Sequence, residues 1–334
     1  MLRAIKTLTI SPKEFEIRLK KRLYENIPTI HMVEKFFMQK RGYVFTMPKP
    51  GSSVILLVSG GIDSTVMWGL LMEKYKLKVY PLFLHRGRKR KWKEMKAVKF
   101  FTSYFQNRYP DLFIPPMEFS THLPPPELEK QMDASNYYHP QRLLEHLDIQ
   151  TGKSYLLSQN GLPYTFPFYG VAYAKYLLDH NNIKIYTVLN AVTAGDGTVV
   201  YSQTFTALRA TLLSICTITN NYNWQFASIP YEKSIGHWFE KADMIKLGAA
   251  LKLPLEKTWS CYRAGRYQCG NGCVTCIGRR KEFGLAHVVD KTLYESDVSI
   301  HARLLKVWKR LTSHYPHLYS IQRIVHNFRE EVRT

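Results

Sequence analysis

The chain has 334 residues, of which 45% are hydrophobic and 22% are charged, a composition typical of a globular protein with a sizeable core. No stretch approaches the roughly 20 apolar residues of a membrane-spanning helix, which argues against such a span, and residues 1–10 lack the continuous apolar core of a secretory signal. We therefore expect a cytoplasmic protein without a membrane partner. The formal charge of +21, from 47 basic and 26 acidic residues, favours polyanionic partners.

The basic excess is concentrated at residues 18–22, 86–99 and 279–281. It indicates either a solvated basic face or a surface for a nucleic acid or an acidic protein. Charge alone does not separate these alternatives.

The first predicted helix begins with Ser11 as N-cap and Pro12 at the first helical position, and it extends to about Tyr24. A second short helix is predicted near residues 33–39. Residues 47–53 are rich in Pro, Gly and Ser, as linkers are. We therefore predict that residues 1–50 form a basic helical extension that ends in a linker.

From residue 53 onward, short apolar segments alternate with amphipathic ones, which is the pattern of βαβ units. Strands are predicted at residues 54–58, 77–84, 184–189 and 224–229, and helices at residues 65–76, 91–105, 169–179 and 204–218. This pattern predicts an α/β domain over residues 51–234, with a parallel sheet covered by helices on both faces and an insertion or long loop near residues 110–158. Residues 235–334 are predicted to be a helical C-terminal region, which a cysteine cluster interrupts and which resumes at residues 298–332.

A glycine-rich turn joins the first predicted strand to a helix, and its sequence is Val58-Ser59-Gly60-Gly61-Ile62-Asp63-Ser64-Thr65. In this context backbone amides converge on an anion at the helix N-terminus, the glycines allow close approach, and the hydroxyls donate. Asp63 is suited to holding a cation or to capping the helix. The alternative is an ordinary capped turn. The turn resembles the SGGxDS loop of the PP-loop ATP pyrophosphatases and lacks the lysine of a Walker A motif, and this resemblance implies that all eight residues bind ATP.

Four of the five cysteines lie close together in a C-x7-C-x3-C-x2-C pattern, at Cys261, Cys269, Cys273 and Cys276. Four soft ligands around a Gly-Asn-Gly turn favour a closed tetrahedral zinc site with a structural role. An iron–sulfur cluster and four free thiols are the alternatives. Cys216 stands alone in an apolar stretch, where we interpret it as a small buried side chain and not a nucleophile.

Taken together, the loop, the TWSCY sequence at residues 258–262 and the cysteine cluster resemble the 7-cyano-7-deazaguanine synthase family, known as QueC. The resemblance covers roughly residues 54–284 and is weak in the middle. It implies a Rossmann-like PP-loop (HUP) fold, a structural Zn²⁺, ATP with Mg²⁺ as substrate, and a ligase. Such a ligase adenylates 7-carboxy-7-deazaguanine and uses ammonia to form the amide and then the nitrile.

Carried over to this sequence, the resemblance implies catalytic roles for Ser59, Asp63 and Lys241 and substrate binding by Asn190. Lys241 occupies the family's Ser-Lys position, which implies a phosphate contact, and a solvent-facing helix lysine is the alternative. A homodimer is also implied, for which the aromatic-rich residues 294–319 offer either an interface or core.

Several departures from the family pattern indicate a divergent relative. The family's arginine is absent from the segment Pro167-Phe168-Tyr169-Gly170, and its acidic substrate stretch is replaced by residues 201–205. Three hypotheses follow: a small-molecule synthase, an antiphage-defence relative that conjugates the activated deazaguanine to a protein or nucleic-acid amine, and a tRNA-modifying PP-loop enzyme. A non-catalytic nucleotide sensor is disfavoured by the intact loop.

Overall fold

A computed structural model describes residues 9–85, 91–120, 165–198 and 201–298 of the chain. The predicted helix at residues 299–332, the basic residues 86–90 and residues 121–158 of the predicted insertion lie outside these ranges.

Two helices precede the sheet, α1 (Pro12–Lys20) and α2 (Ile27–Arg41). The Ser11 hydroxyl accepts a 3.1 Å hydrogen bond from the Glu14 N–H, which confirms the predicted start of α1. The Asn26 side chain caps α2 by accepting from the Thr29 N–H at 3.0 Å. Helix α1 therefore ends at Lys20, before the predicted end at Tyr24. Helix α2 is longer than predicted, since the Asn26 cap makes it begin at Ile27.

Five strands form one parallel sheet in the order β3-β2-β1-β4-β5. Neighbouring strands are parallel throughout, which confirms the predicted α/β fold class with its parallel sheet. The strands are β1 (Ser53–Val58), β2 (Lys78–His85), β3 (Met117–Ser120), β4 (Thr187–Asn190) and β5 (Gln225–Ser228).

Helices cover both faces of this sheet. Along β1, Val54 and Leu56 belong to one buried cluster together with Val66 of the helix α3 (Ile62–Glu73), whereas Ile55 belongs to a second cluster that contains Phe15 of α1. Alternate strand residues point to opposite faces, so this partition puts one layer of helices on each side. The helices that follow α2 are α3 (Ile62–Glu73), α4 (Lys91–Arg108), α5 (Phe166–Asn181), α6 (Phe205–Ile218), α7 (Lys241–Ala250), α8 (Val274–Ala286) and α9 (Glu295–Val298).

Two regions correct the sequence interpretation. Strand β3 lies within residues 110–158, where only an insertion or long loop is predicted; its four residues are all partly or fully exposed, so no apolar run marks them. The described region from residue 235 to residue 298 is helical as predicted, except that it begins with the short strand β7 (His237–Trp238), which pairs antiparallel with β6 (Tyr231–Glu232) just before it. Strands of two residues are too short to produce a periodic pattern.

A buried ion-pair network joins α1 and α2 to the sheet side of the molecule. Arg209 on α6 is fully buried and donates two hydrogen bonds of 2.8 and 2.9 Å to Glu232, and a third of 3.1 Å to Glu34 on α2. Lys233 bonds to the same Glu34 and to Glu16 on α1. Burial disfavours the charged guanidinium, but the two carboxylates outweigh it and raise the pKa of Arg209. The N-terminal helices thus share a core with the sheet, while the domain boundaries at residues 50 and 234 stay predictions.

None of the helices within the described ranges is both long enough and apolar enough to cross a lipid bilayer.

Candidate active site and metal centre

A cavity of about 270 Å³ opens at the carboxyl ends of β1, β2 and β4. Strand β1 lies between β2, which follows it in the chain, and β4, so this is the point where the strand order reverses. Ligands of open α/β sheets bind in the crevice at such a point. The residues that line the cavity include Val58, Ser59, Leu84, Phe166, Asn190 and Gln203.

The glycine-rich turn enters the cavity directly after β1. Gly60 has a φ of +73°, and a Cβ at this position would lie 2.5 Å from the backbone oxygen of Glu94. Its carbonyl oxygen accepts a 2.8 Å hydrogen bond from the Trp259 N–H. Only glycine fits this backbone conformation and this close approach without strain.

Hydroxyl groups hold the rest of the turn in place. The Ser59 N–H donates to the Ser64 hydroxyl at 3.2 Å, and the two serine hydroxyls are also 3.2 Å apart. The Gly61 N–H points to the Ser59 hydroxyl at 3.4 Å, and Gly61 is the N-cap of α3. The first N–H groups of a helix have no acceptor within it, so this turn is suited to binding an anion.

Six of the eight predicted loop residues carry side chains, and these side chains contribute to the site in two ways. Ser59, Asp63 and Ser64 reach the cavity with polar side chains, and Val58 also lines it. The Ile62 and Thr65 side chains are buried in the start of α3 and support the turn from below.

Three charged side chains meet at the edge of the cavity. The Lys241 Nζ, on the first residue of α7, lies 2.8 Å from Asp196 Oδ1 and 3.7 Å from Asp63 Oδ2. The other oxygen of Asp196 accepts hydrogen bonds from the N–H and the hydroxyl of Thr193, at 2.9 and 2.8 Å. Asp196 has no role in the sequence predictions, because its contact with Lys241 exists only in the folded chain.

The pKa values of Asp63 and Asp196 are shifted in opposite directions, although both carboxyl groups lie beside Lys241. Burial raises the pKa of Asp63 to about 6, and Lys241 offsets this only in part. Burial also acts on Asp196, but Lys241 and the hydrogen bonds from Thr193 outweigh it and lower the pKa of Asp196. The Asp196 carboxylate raises the pKa of Lys241, so the lysine stays cationic at neutral pH.

The far side of the cavity carries two side-chain amides and an aromatic ring. Asn190, the last residue of β4, is half-buried and faces the cavity, and its Oδ1 lies 3.5 Å from the Val192 N–H. Phe166 and Gln203 line the same cavity and are absent from the predicted site, because they come from α5 and a short 3₁₀ turn at Tyr201–Gln203.

The four predicted metal ligands lie together in the C-terminal region. The sulfurs of Cys261, Cys269, Cys273 and Cys276 all lie within 4.8 Å of one another, and all four side chains are buried. The Arg263 N–H donates to the Cys261 sulfur at 3.3 Å. Four converging thiols with amide support form a donor set that fits a soft metal centre.

Cys216 lies apart from this cluster. It is fully buried in the apolar core, its thiol points to the Trp224 carbonyl at 3.6 Å, and burial raises its pKa to about 11. A thiol in such surroundings is a poor nucleophile, in agreement with the sequence interpretation.

Comparisons with known proteins connect one part of the chain to a family. Residues 236–287 match the family model of "Queuosine biosynthesis protein QueC". The 7-cyano-7-deazaguanine synthase of Ruegeria sp. (strain TM1040) is 50% identical over 54 residues, which are 16% of this chain and 23% of the relative. 7-Cyano-7-deazaguanine synthase 1 of Mesorhizobium japonicum is 48% identical over 63 residues, 19% of this chain and 27% of that protein.

The similarity is local, since the chain spans about a quarter of the length of these relatives. Among solved structures, the U34-tRNA thiolase NcsA from Methanococcus maripaludis with its [4Fe-4S] cluster aligns over 78% of this chain and 80% of its own. The sequence identity is 12% and the TM-score is 0.33. The part of the chain that holds Lys241 and the four cysteines is therefore similar to QueC proteins.

Proposed function

We propose that the chain is an ATP-dependent ligase that adenylates the carboxylate of 7-carboxy-7-deazaguanine and transfers the activated acyl group to the nitrogen of ammonia or an amine, with AMP as the leaving group. The observation that carries this proposal is the position of Lys241. It belongs to the QueC-like segment, and its Nζ faces the same cavity as the glycine-rich turn, 3.7 Å from Asp63 of that turn.

In this proposal the triphosphate of ATP lies on the N-terminus of α3, where the N–H groups of the turn face the anion. A carboxylate oxygen of the substrate attacks the α-phosphorus, the bond from the α-phosphorus to the bridging oxygen breaks, and pyrophosphate leaves. Negative charge grows on the phosphate oxygens during this step. Lys241 is cationic at neutral pH and stabilises that charge from the edge of the cavity.

Asp196 acts through Lys241 in this proposal. Thr193 holds one oxygen of Asp196, which leaves the other oxygen to hold the lysine ammonium at 2.8 Å. With a pKa of about 6, Asp63 is ionised at neutral pH. Carboxylates are preferred ligands of Mg²⁺. Asp63 would therefore hold the Mg²⁺ that accompanies ATP, and that ion supplies further neutralisation of phosphate charge.

The other side of the cavity would hold the deazaguanine. The side-chain amides of Asn190 and Gln203 offer both donors and acceptors, which match the hydrogen-bonding edge of a guanine-like ring. Phe166 provides an aromatic surface on which such a ring stacks. None of these three side chains is charged, so the substrate carboxylate is proposed to lie toward Lys241.

We propose Zn²⁺ as the ion of the cysteine cluster, with a structural role. Tetrahedral zinc with bonds of about 2.3 Å keeps its sulfur ligands about 3.8 Å apart. The Cys273 sulfur lies 3.9 Å from that of Cys261 and 3.4 Å from that of Cys269. A four-iron cluster binds each cysteine to a separate iron and spreads the sulfurs more widely than a single ion does.

A macromolecular amine is the second candidate acceptor, besides ammonia. It is favoured by the net charge of +21 and by the altered residues 201–205 in the family's substrate stretch. The product would then be an amide on the macromolecule and not a free nitrile.

The proposal is tested with purified protein, ATP, Mg²⁺ and 7-carboxy-7-deazaguanine, with and without ammonia. We expect pyrophosphate release that depends on the deazaguanine, and a free amide or nitrile by mass spectrometry when ammonia is the acceptor. Deazaguanine attached to a co-purified protein or nucleic acid would identify a macromolecular acceptor. Pyrophosphate release that is absent, or equal in wild type and Lys241→Met, would contradict the proposal.

A further inference from the structure

We infer that the cysteine cluster sets the conformation of the phosphate-binding turn, so that metal binding and ATP binding strengthen each other. The connection is residues 258–260, which we call the strut. This inference rests on the ATP site of the proposed function and adds to it a role for the metal centre beyond local folding.

The strut contacts the turn through one peptide unit. The Trp259 N–H donates to the Gly60 carbonyl at 2.8 Å, and this carbonyl belongs to the same planar peptide as the Gly61 N–H. In a trans peptide these two groups point in opposite directions, so the hydrogen bond from Trp259 aims the Gly61 N–H toward Ser59. A rotation of this peptide would turn the Gly61 N–H away from the hydroxyl of Ser59, a residue that lines the cavity.

Gly60 itself has little intrinsic preference for this orientation. Glycine populates positive and negative φ about equally, so its φ of +73° has to be imposed by its neighbours. The Trp259 N–H is the partner of its carbonyl, and it comes from the C-terminal region, almost 200 residues later in the chain.

Gln268 anchors the strut to the cysteine cluster. It is buried, it directly precedes the ligand Cys269, and its side-chain oxygen accepts from the Ser260 N–H at 3.0 Å. Its side-chain amide donates to the Thr258 carbonyl, also at 3.0 Å. One side chain therefore holds both ends of the strut.

Arg279 provides a second anchor from α8, the helix that carries Cys276. Its guanidinium is buried and donates to the hydroxyls of Thr258 and Ser260 at 2.8 and 3.0 Å. The Trp259 indole N–H also donates to the carbonyl of Cys261 at 2.8 Å. All three strut residues are thus hydrogen-bonded to Cys261, Gln268 or Arg279, which belong to the cysteine cluster or lie close to it in the chain.

Among the residues that the structure describes, the cysteine cluster has almost no apolar core of its own, so we expect its folding to depend on an ion. Its buried cluster consists of the four cysteines and Tyr294, with Trp259 packed against them. In such small units the free energy of metal binding supplies the free energy of folding. Loss of the ion is expected to loosen Gln268 and Arg279, and with them the orientation of the peptide at Gly60.

By thermodynamic linkage, ATP strengthens metal binding by the same factor by which the metal strengthens ATP binding. One backbone hydrogen bond is worth a factor of about two to ten in an equilibrium constant. We therefore expect ATP to raise the affinity for zinc by about this factor, although none of the four thiols is proposed to contact the nucleotide.

The test compares Gln268→Leu and Arg279→Met with Arg280→Met. Arg280 is the next residue of α8, but its side chain bonds to Ser296 and Asp297 and not to the strut. All three variants keep the four cysteines. Each is loaded with one zinc per chain, and metal analysis verifies this ratio. The affinity for ATP with Mg²⁺ is then measured by isothermal titration calorimetry.

We expect Gln268→Leu and Arg279→Met to bind ATP about two- to tenfold more weakly than Arg280→Met, which keeps the wild-type affinity. In the wild type, ATP with Mg²⁺ should lower the amount of Zn²⁺ taken up by a chromogenic chelator. Equal ATP affinities in the three variants, or zinc loss that ATP leaves unchanged, would overturn the inference.

Hydrogen exchange separates a failure of this inference from a failure of the proposed function. Amides of residues 60–64 should exchange faster in zinc-loaded Gln268→Leu than in Arg280→Met, even without nucleotide. If ATP binds to no form of the protein, the proposed function fails, and the difference in exchange alone decides about the strut. Equal exchange in the two variants would then overturn it.

Discussion

Two carboxylates that share one lysine should have opposite effects on stability. Replacing Asp63 by Asn should stabilise the folded chain at pH 8, whereas replacing Asp196 by Asn should destabilise it. The reason lies in their surroundings, because burial raises the pKa of Asp63 while Lys241 and Thr193 hold the pKa of Asp196 below its usual value.

The size of the first effect follows from linkage. A carboxyl whose pKa rises on folding opposes the folded state increasingly as the pH rises from the unfolded to the folded pKa, and its effect is complete above the folded value. For Asp63 the range runs from its usual 3.8 to about 6, which corresponds to at most about 3 kcal/mol at pH 8 and about half of that at pH 5. A quarter of this side chain is exposed, so solvent screening reduces the expected gain of Asp63→Asn to about 1–2 kcal/mol at pH 8.

The second effect has the opposite sign and a different dependence on pH. The lowered pKa of Asp196 means that its contribution is complete at pH 5 and pH 8 and is lost only on further acidification. Asp196→Asn weakens the bond to Lys241 and one of the two bonds from Thr193, at a cost of about 1–3 kcal/mol.

The assay is urea unfolding of the zinc-loaded proteins without nucleotide, followed by tryptophan fluorescence at pH 5 and pH 8. We expect the gain from Asp63→Asn to grow between the two pH values and the loss from Asp196→Asn to stay constant. A gain that is absent at pH 8, or equally large at pH 5, would refute the reasoning about Asp63. Equal signs for the two variants would refute the account of both.

Three further outcomes are expected. Lys241→Met should lower the kcat of pyrophosphate release about 100- to 1000-fold with a smaller change in KM for ATP, as steady-state kinetics would show, since its charge acts mainly on the developing anion. Gly60→Ala should weaken ATP binding by about 1–3 kcal/mol in calorimetry, because its φ of +73° and the close approach of a neighbouring carbonyl leave no room for a Cβ. Arg209→Met should lower the free energy of unfolding by about 3–5 kcal/mol in urea, because it leaves the Glu232 carboxylate buried without its partner, and adding Glu232→Met should recover much of the loss.

Much of the fold follows from local patterns along the sequence. Apolar strands that alternate with amphipathic helices are enough to predict a parallel sheet with two helical layers. A capped start such as Ser11-Pro12 also identifies a helix, because the cap is a contact between residues three apart. Strand β3 escapes such reasoning because Met117–Ser120 is short, lies at the edge of the sheet and stays partly or fully exposed, so only its pairing with β2 identifies it as a strand.

The candidate site divides in the same way. The turn from Ser59 to Thr65 and the four cysteines are contiguous motifs, so sequence alone predicts them. Asp196 joins the site only through its contact with Lys241, a residue 45 positions later that the fold brings within 2.8 Å. Gln268 looks like an ordinary polar residue until the fold shows its two bonds to the strut.

The two sides of the cavity also differ in their relation to QueC. Lys241 and the cysteine cluster lie in the matched residues 236–287, and through Trp259 that segment reaches the phosphate-binding turn. Phe166, Asn190 and Gln203, which would hold the deazaguanine, lie outside the match. In the proposed function, activation of a carboxylate by ATP uses Lys241 together with the phosphate-binding turn, which itself lies outside the match, whereas the choice of base and of acceptor amine depends on the second group. Under the proposed function, pyrophosphate release therefore tests the phosphate side of the cavity, and the identity of the acceptor tests the opposite side.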